Sequence, residues 1–337
     1  MQIERQSNIE LCRIVAMLLV VMVHSGIVAF GDIKEYDMSY WGILTMQGFA
    51  IVGVNLFVLI SGYFSVSFKL KSIARLVWIC FFYAVVAWGM AYLLNRQIKY
   101  TSIFWVSDSI WYIATYIGLL CFSPMLNAFI NKVDRTTHKA FIIVLLLLQT
   151  WYEYVPRLIN DFHNGYSILS FAILYLIARY VRLYGFPKFF KKYHIWIYIS
   201  CSLLIAFGLV GAVAFHFHPR GAAEWLLKYD NPLVIVSSLG LFAFFTQMRI
   251  PNNKVINYLA SSCIAVLLLH TSPCFSHYVV AIFHNIFAKY GSMLLVIMWG
   301  GIIISEYVVA TIVDQIRLYL ERKWINNVIS KIRFEIK

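Results

Sequence analysis

Residues 11–30 read LCRIVAMLLVVMVHSGIVAF, and Arg13 is the only residue among them with a permanent charge. A helix of twenty apolar residues is ~30 Å long, which matches the hydrocarbon thickness of a bilayer. A polar start precedes the block, as in a secretory signal peptide. The block is longer than the apolar core of such a peptide, however, and nine similar blocks follow it. It therefore predicts a retained transmembrane helix.

The same pattern of apolar blocks and short polar stretches continues through the chain of 337 residues. Hydrophobic residues make up 61% of it and charged residues 13%, far outside the usage of soluble domains. We therefore predict an all-α fold, a polytopic integral membrane helical bundle of about ten transmembrane helices in the plasma or inner membrane. The predicted spans are 11–30, 43–64, 75–94, 110–130, 139–152, 166–184, 194–214, 233–248, 258–283 and 293–318.

The net charge of +13 would suggest a nucleic-acid partner in a soluble protein, but here its distribution reports topology. With the N-terminus inside, 21 of the 28 Lys and Arg residues lie in inner segments and 7 in outer ones. Short loops rich in these residues stay cytoplasmic, so both termini are expected there, with lipids and not nucleic acid as partners. We divide the chain into a membrane domain, 1–318, and a basic cytoplasmic tail, 319–337. The segment around Arg317, Glu321 and Trp324 is expected to lie on the leaflet surface.

Cysteine and histidine spacing gives no metal site or disulfide framework. The cysteines lie singly in or beside apolar blocks and are expected to pack as small residues. They are Cys12, Cys80, Cys121, Cys201, Cys263 and Cys274. His216 and His218 alternate in an outer loop without Cys or carboxylate partners at ligand spacing, so no zinc site is predicted.

Arg13 and His24 stand out because ionisable residues inside membrane helices are costly and usually functional. Eleven residues separate them by ~16 Å and by three turns plus roughly 20°, so both side chains share one helix face. Glu10, Met17 and Val20 lie on the same face. This face offers a cation near the predicted cytoplasmic surface and an imidazole deeper in the membrane. The alternative is that Arg13 extends to the lipid headgroups and His24 hydrogen-bonds a neighbouring helix.

The residue types suit acyl transfer. An alcohol attacks a thioester slowly until a base removes its proton, and an imidazole, with an ordinary pKa of ~6.5, is suited to that role at neutral pH. Burial in an apolar helix favours the uncharged ring that a base requires. His24 is therefore the candidate catalytic base, with Arg13 as its partner on the same helix face.

Four stretches resemble the acyltransferase-3 family of membrane acyltransferases. The first is IELCRIVAM (residues 9–17) followed by His24, which has the Arg, ten residues, then His spacing of that family. NLFVLISGY (55–63) is similar to the end of its second helix, and LLLHT (267–271) to one of its late helices. IWY (110–112), YIGL (116–119) and SPMLN (123–127) resemble the fourth helix of polysaccharide O-acetyltransferases. Many members carry a His before that Trp motif, whereas this chain has Ser109 and Ile110.

The resemblance implies an acyl-CoA-dependent O-acyltransferase with no permanently bound cofactor. Acetyl-CoA is the expected cytoplasmic donor, although succinyl transfer is an alternative. The expected acceptor is a hydroxyl of a cell-surface polysaccharide, such as a capsule or exopolysaccharide, or of its lipid-linked precursor. The rival class is a transporter or exporter of acyl groups or sugars, and a structural scaffold is a third. No internal repeat of the kind common in transporters is evident.

Candidate binding residues follow from this interpretation. CoA carries several phosphates, so inner-side cations and the small residue Ser61 are candidates for donor binding. The cations are Arg13, Lys69, Lys71, Arg75, Arg179 and Arg182; for all but Arg13, positive-inside topology is the competing explanation. An aromatic platform for a sugar is predicted at Trp111, Tyr112 and Tyr116, where an interfacial aromatic belt is the alternative.

Other polar residues are weaker candidates. His270 is either a second functional histidine, placed here with the substrate-binding residues, or a satisfied core residue. Asp108, Glu153 and Asp161 lie at the predicted outer surface and are candidates for orienting sugar hydroxyls, although solvated loop charges are commoner.

Overall fold

The computed structural model describes residues 5–29, 38–94, 110–154, 162–215, 225–332 and 334–336. Helices dominate this part of the chain. They are α1 (Ser7–Ala29), α2 (Met38–Ala50), α3 (Gly53–Tyr63), α4 (Leu70–Leu93), α5 (Ile110–Lys132), α6 (Arg135–Tyr154), α7 (Ile168–Tyr184), α8 (Lys188–Ala214), α9 (Pro232–Gln247), α10 (Lys254–Ala260), α11 (Cys263–His270), α12 (Pro273–Leu320) and α13 (Asn326–Ser330). Two short strands, β1 (Phe68–Lys69) and β2 (Glu335–Ile336), pair in antiparallel fashion.

Helix length and composition agree with an all-α membrane protein. Within the described residues, six helical segments are long and apolar enough to cross a membrane, and two shorter apolar helices accompany them. The six are Ser7–Ser25, Trp41–Tyr63, Leu70–Leu93, Trp111–Lys132, Lys188–Ala214 and Ile297–Ser330. Large apolar side chains face outward; Phe207, for example, is 67% exposed. The total of ten spans and the cytoplasmic position of both termini stay predictions.

The structure differs from the predicted spans in three places. The span 43–64 corresponds to the apolar segment Trp41–Tyr63, but a turn at residues 51–52 divides it into α2 and α3. The span 258–283 is divided among α10, α11 and the start of α12. The loop predicted between 283 and 293 is helical, because α12 continues from Pro273 to Leu320. Proline at a helix start has no amide hydrogen to place, so Pro273 suits the first turn of α12.

Helix α3 is the centre of the bundle, buried between α1 and α7. Nine of its eleven residues are buried. A Cβ on Gly53 would lie 2.7 Å from the Ala16 carbonyl oxygen, and one on Gly62 would lie 2.7 Å from that of Tyr175. Only glycine permits these two backbone approaches, as at small-residue crossings of membrane helices generally. Gly62 therefore serves helix packing.

The start of α1 is tied to the α9–α10 connection. Asn253 caps α10 by accepting hydrogen bonds from the backbone amides of Val255 and Ile256, the usual role of Asn before a helix. The Asn253 amide in turn donates to Ser7 Oγ at 2.8 Å, and Asn8 Nδ2 donates to the Phe245 carbonyl at 3.0 Å. These bonds fix the helix that carries Arg13 and His24.

Candidate active site

A cavity of about 380 Å³ runs along one face of α1. All five residues predicted to share that face line it, namely Glu10, Arg13, Met17, Val20 and His24. Glu10 and His24 are fourteen residues apart, so the cavity follows the helix for ~21 Å. Helices α3, α4, α5, α10, α11 and α12 supply the other walls. The helical period thus brings Arg13 and His24 into one cavity.

One end of the cavity is rich in arginine. Arg13 donates to Glu10 at 3.0 Å with a side chain that is 35% exposed. Arg75 of α4 pairs with Glu321 at 2.8 Å and donates to Asn326 Oδ1 at 3.3 Å. Arg5 also lines this end and donates to the Asn257 carbonyl. Several cations with exposed guanidinium groups make this end suited to an anionic ligand.

A buried charge network stands behind these arginines. Arg317 donates to Asp314 Oδ1 at 2.5 Å and Oδ2 at 2.9 Å, and to Glu321 at 2.5 Å. Asp314 also accepts from the Tyr83 and Ser262 hydroxyls. Arg317 and Glu321, expected on the leaflet surface, are therefore buried, because each finds an opposite charge. Trp324 is 61% exposed.

Deeper in the bundle, His24 lies next to His270, which is paired with Glu306. Its ring lies parallel to that of His270, with 5.6 Å between centroids and 4° between planes. His270 Nδ1 is 2.5 Å from Glu306 Oε2. Within the described part of the chain, His24 Nδ1 and Glu306 Oε1 have no hydrogen-bond partner. His24, His270 and Glu306 therefore form one polar cluster in an apolar surround.

The predicted aromatic platform lines the same cavity as Arg13 and His24. Trp111, Tyr112 and Tyr116 all contribute to its wall. Tyr112 stacks on Tyr116 at 6.1 Å, and Trp111 stacks on Tyr229 at 5.8 Å. The Tyr116 hydroxyl lies 3.3 Å from Ser61 Oγ, and Ser61 also lines the cavity. These rings are built into the bundle and face inward.

Five of the predicted binding residues are not among those lining the cavity. Lys69 lies in β1 next to the C-terminal strand, and Lys71 is exposed at the start of α4. Arg182 donates to the Tyr63 hydroxyl at 3.0 Å, and Arg179 is on the same helix, α7. His270 is buried behind His24. The donor role of the four cations and the substrate role of His270 stay predictions.

The outer candidates divide between described and undescribed residues. Asp108, Asp161, His216 and His218 lie outside the described residues. The Glu153 side chain is 5% exposed and pairs with Lys228 at 2.7 Å, so its carboxylate serves an ion pair. Among the described residues no group of three or more His, Cys, Asp or Glu side chains is placed to hold a metal ion.

Two buried carboxylates of this region, Glu306 and Asp314, were not predicted from the sequence. Both are carboxylates within the predicted tenth span, 293–318, and the cost of such residues in a membrane helix was the signal available for them. Arg317 is three residues after Asp314 on the same helix, so this pair could have been read from the spacing. His270 reaches Glu306 only through the packing of α11 against α12.

The family model described as an acyltransferase domain matches residues 6–313. That range covers nearly the whole chain and includes Arg13, Arg75, His24, His270 and Glu306. A comparison with curated proteins and one with solved structures find no match.

Proposed function

The chain belongs to the acyltransferase-3 family, and from this premise we propose that it transfers an acetyl group from cytoplasmic acetyl-CoA to a glycan hydroxyl. The acceptor would be a cell-surface polysaccharide or its lipid-linked precursor, and the site of action the cell membrane. The protein is a membrane acyltransferase; the donor, the acyl group and the acceptor are the proposal.

The observation that carries the proposal is that Arg13 and His24 line one cavity. CoA combines a polyanionic nucleotide with a long, flexible, uncharged arm that ends in the thioester. The arginine-rich end suits the phosphates, and the ~21 Å of cavity beside α1 suits the arm. The thioester would then lie near His24, while the nucleotide stays at the end predicted to be cytoplasmic.

The proposed chemistry is a single acyl transfer. His24 takes the proton from the acceptor hydroxyl while the hydroxyl oxygen bonds to the acyl carbon, and the bond between that carbon and the CoA sulfur breaks. The proton then passes from His24 to the leaving thiolate, so that ester and free CoA are the products. Trp111, Tyr112 and Tyr116 supply the flat apolar surface on which the acceptor sugar ring is held.

Transfer is tested in membranes from cells that express the chain, incubated with acetyl-CoA labelled in the acetyl group. Label should enter a glycan fraction and be released by mild base, as an ester requires. His24→Ala should lower this label by about 10²- to 10⁴-fold, the usual contribution of a general base, at an unchanged protein level. His194→Ala removes a histidine of α8 that does not line the cavity and should leave transfer intact.

Two results would count against the proposal. Uptake of label into vesicles without any ester would indicate a transporter. Full transfer by His24→Ala would remove the assigned base.

A further inference from the structure

The cluster behind His24 contains two residues that the proposed reaction does not yet use. We infer that Glu306 and His270 are positioning residues, which hold the His24 ring and stabilise the charge it acquires when it takes a proton. The inference rests on the proposed function. It extends that function to a carboxylate on α12 and a histidine on α11.

The Glu306–His270 pair is buried, and its two side chains are within hydrogen-bond distance. The side chains are 5% and 7% exposed, and the nitrogen and oxygen are 2.5 Å apart. A carboxylate at such a depth is expensive unless it is paired. Glu306 finds its partner on a different helix, so the pair joins α12 to α11 at the level of His24.

The contact between the His270 and His24 rings also orients His24. The His270 ring lies parallel to the His24 ring, with 4° between the planes and 5.6 Å between the centroids, and Glu306 in turn holds the orientation of His270. Trp299 Nε1 donates to Ser25 Oγ at 2.8 Å, which fixes α12 against α1 one residue from His24. The stack on His270 is therefore a contact that sets the plane of the catalytic ring.

Charge gives the pair a second role. A neutral His270 that donates its Nδ1 hydrogen to the Glu306 carboxylate leaves the pair with one negative charge. During transfer His24 becomes an imidazolium in the same buried polar cluster as that charge. A fixed negative charge placed where positive charge develops lowers the barrier, because it requires no reorganisation at the moment of reaction. No covalent bond forms on either residue.

The test measures kcat and KM for acetyl-CoA in the labelled-acetyl assay, normalised to folded protein from size-exclusion chromatography. Glu306→Gln keeps the shape of the side chain without its charge. His270→Asn keeps a hydrogen-bond donor for Glu306 but removes the ring that stacks on His24. Each should lower kcat on the order of 10- to 100-fold with KM nearly unchanged, the usual cost of losing an orienting partner. Glu306→Asp should restore part of the rate.

Two controls separate positioning from general structural damage. Ser305→Ala changes the exposed neighbour of Glu306, whose hydroxyl bonds only its own helix at the Gly301 carbonyl, and should leave kcat unchanged. Glu306→Gln added to His24→Ala should lower the residual rate no further, since residues that act as one unit are not additive.

The outcomes distinguish this inference from the proposed function. An unchanged kcat in both Glu306→Gln and His270→Asn, alongside an inactive His24→Ala, overturns the positioning role and leaves the acyltransferase assignment standing. A further drop in the double variant overturns it as well. Absence of transfer in the wild type would instead overturn the proposed function.

Discussion

The Arg13 guanidinium lies at the arginine-rich end of the cavity. Among the described side chains, its only hydrogen-bond partner is the Glu10 carboxylate. It is half-buried, so it stays accessible to a ligand. A phosphate that entered the cavity would meet a cation already oriented by its neighbour three residues earlier. The question for this residue is whether Arg13 binds the donor or is basic only because cytoplasmic helix ends are rich in basic residues.

Arg13→Ala should weaken binding of acetyl-CoA by about 1.5–3 kcal/mol, the range for a hydrogen bond to a charged group. That corresponds to roughly 10- to 150-fold in Kd. Arg13→Lys should recover part of the affinity, because the charge survives although the planar fork is lost. Calorimetry or ligand displacement on purified protein measures this directly.

Arg182→Ala is the matched control for Arg13. Arg182 bonds the Tyr63 hydroxyl and does not line the cavity, so its loss should leave acetyl-CoA affinity nearly unchanged. Equal affinity for acetyl-CoA in wild type and Arg13→Ala would mean that Arg13 does not bind the donor and only contributes to membrane orientation.

Among the elements, α3 contacts its neighbours through two close glycine crossings, at Gly53 and Gly62. Gly62→Ala should therefore destabilise the protein, since the new Cβ would lie 2.7 Å from a Tyr175 backbone atom and 2.8 Å from the Ala178 side chain. Overpacking of this kind costs about 1–3 kcal/mol. Ser61 is the preceding residue and lines the cavity, so transfer should fall too. The melting temperature in detergent and the transfer rate check both effects.

Gly89→Ala provides the control on α4. A Cβ at Gly89 meets nothing within 4 Å, and alanine favours a helix by up to about 1 kcal/mol over glycine. Its melting temperature should stay level or rise. A fall equal to that of Gly62→Ala would show that α4, and not the α3–α7 crossing, limits stability.

The segment leading into α9 carries a pH-sensitive carboxyl. Burial and then the nearby Glu153 carboxylate raise the pKa of Asp230 from 3.8 to about 7, against the opposing effect of Lys228. Its main chain is held by Gln149 Nε2, which donates to the Asp230 carbonyl at 3.2 Å. In the folded protein Asp230 therefore keeps its proton to a higher pH than in the unfolded chain.

The proton retained on Asp230 sets the direction in which the stability of the folded protein changes with pH. Between about pH 4 and 7 the folded state binds more protons than the unfolded state, so stability falls as the pH rises. Asp230→Asn removes the titration. The melting temperature of the wild type relative to this variant should fall between about pH 4 and 7 and level off above the folded pKa. A constant difference across that range would contradict a raised pKa.

For the whole molecule, the open question is orientation, because the donor argument requires the arginine-rich end to face the cytoplasm. The distribution of basic residues predicts that a cytoplasmic reporter fused after Lys337, or inserted near Lys188, is active. A reporter that requires export should be inactive at both positions. Export-dependent activity at either position would reverse the orientation and separate the cavity from cytoplasmic acetyl-CoA.

Several features followed from the sequence because they depend on local physics. The bilayer sets the length of an apolar helix, and the helical period sets which residues share a face. These two rules were enough for the membrane assignment and for the cavity face that holds Glu10, Arg13 and His24. The four stretches around residues 9–24, 55–63, 110–127 and 267–271 together were enough for the family.

Helix boundaries were less predictable. The break between α2 and α3 falls in the apolar stretch 49–54, where hydropathy has no contrast that would mark a helix end. The continuity of α12 is the opposite case, because the polar residues His284, Asn285 and Lys289 indicated a loop and the helix continues through them. Tertiary packing decides where such a helix breaks.

Only the tertiary structure decided which residues meet across helices. His270 and Glu306 are 36 residues apart, Arg75 and Glu321 are farther apart still, and no spacing rule connects either pair. A buried charge is stable only beside its partner, and the partner is chosen by how α4, α11 and α12 pack around α1. The sequence alone therefore determined the membrane fold, the family and one face of α1, whereas the packing of distant helices determined the polar cluster in which His24 lies.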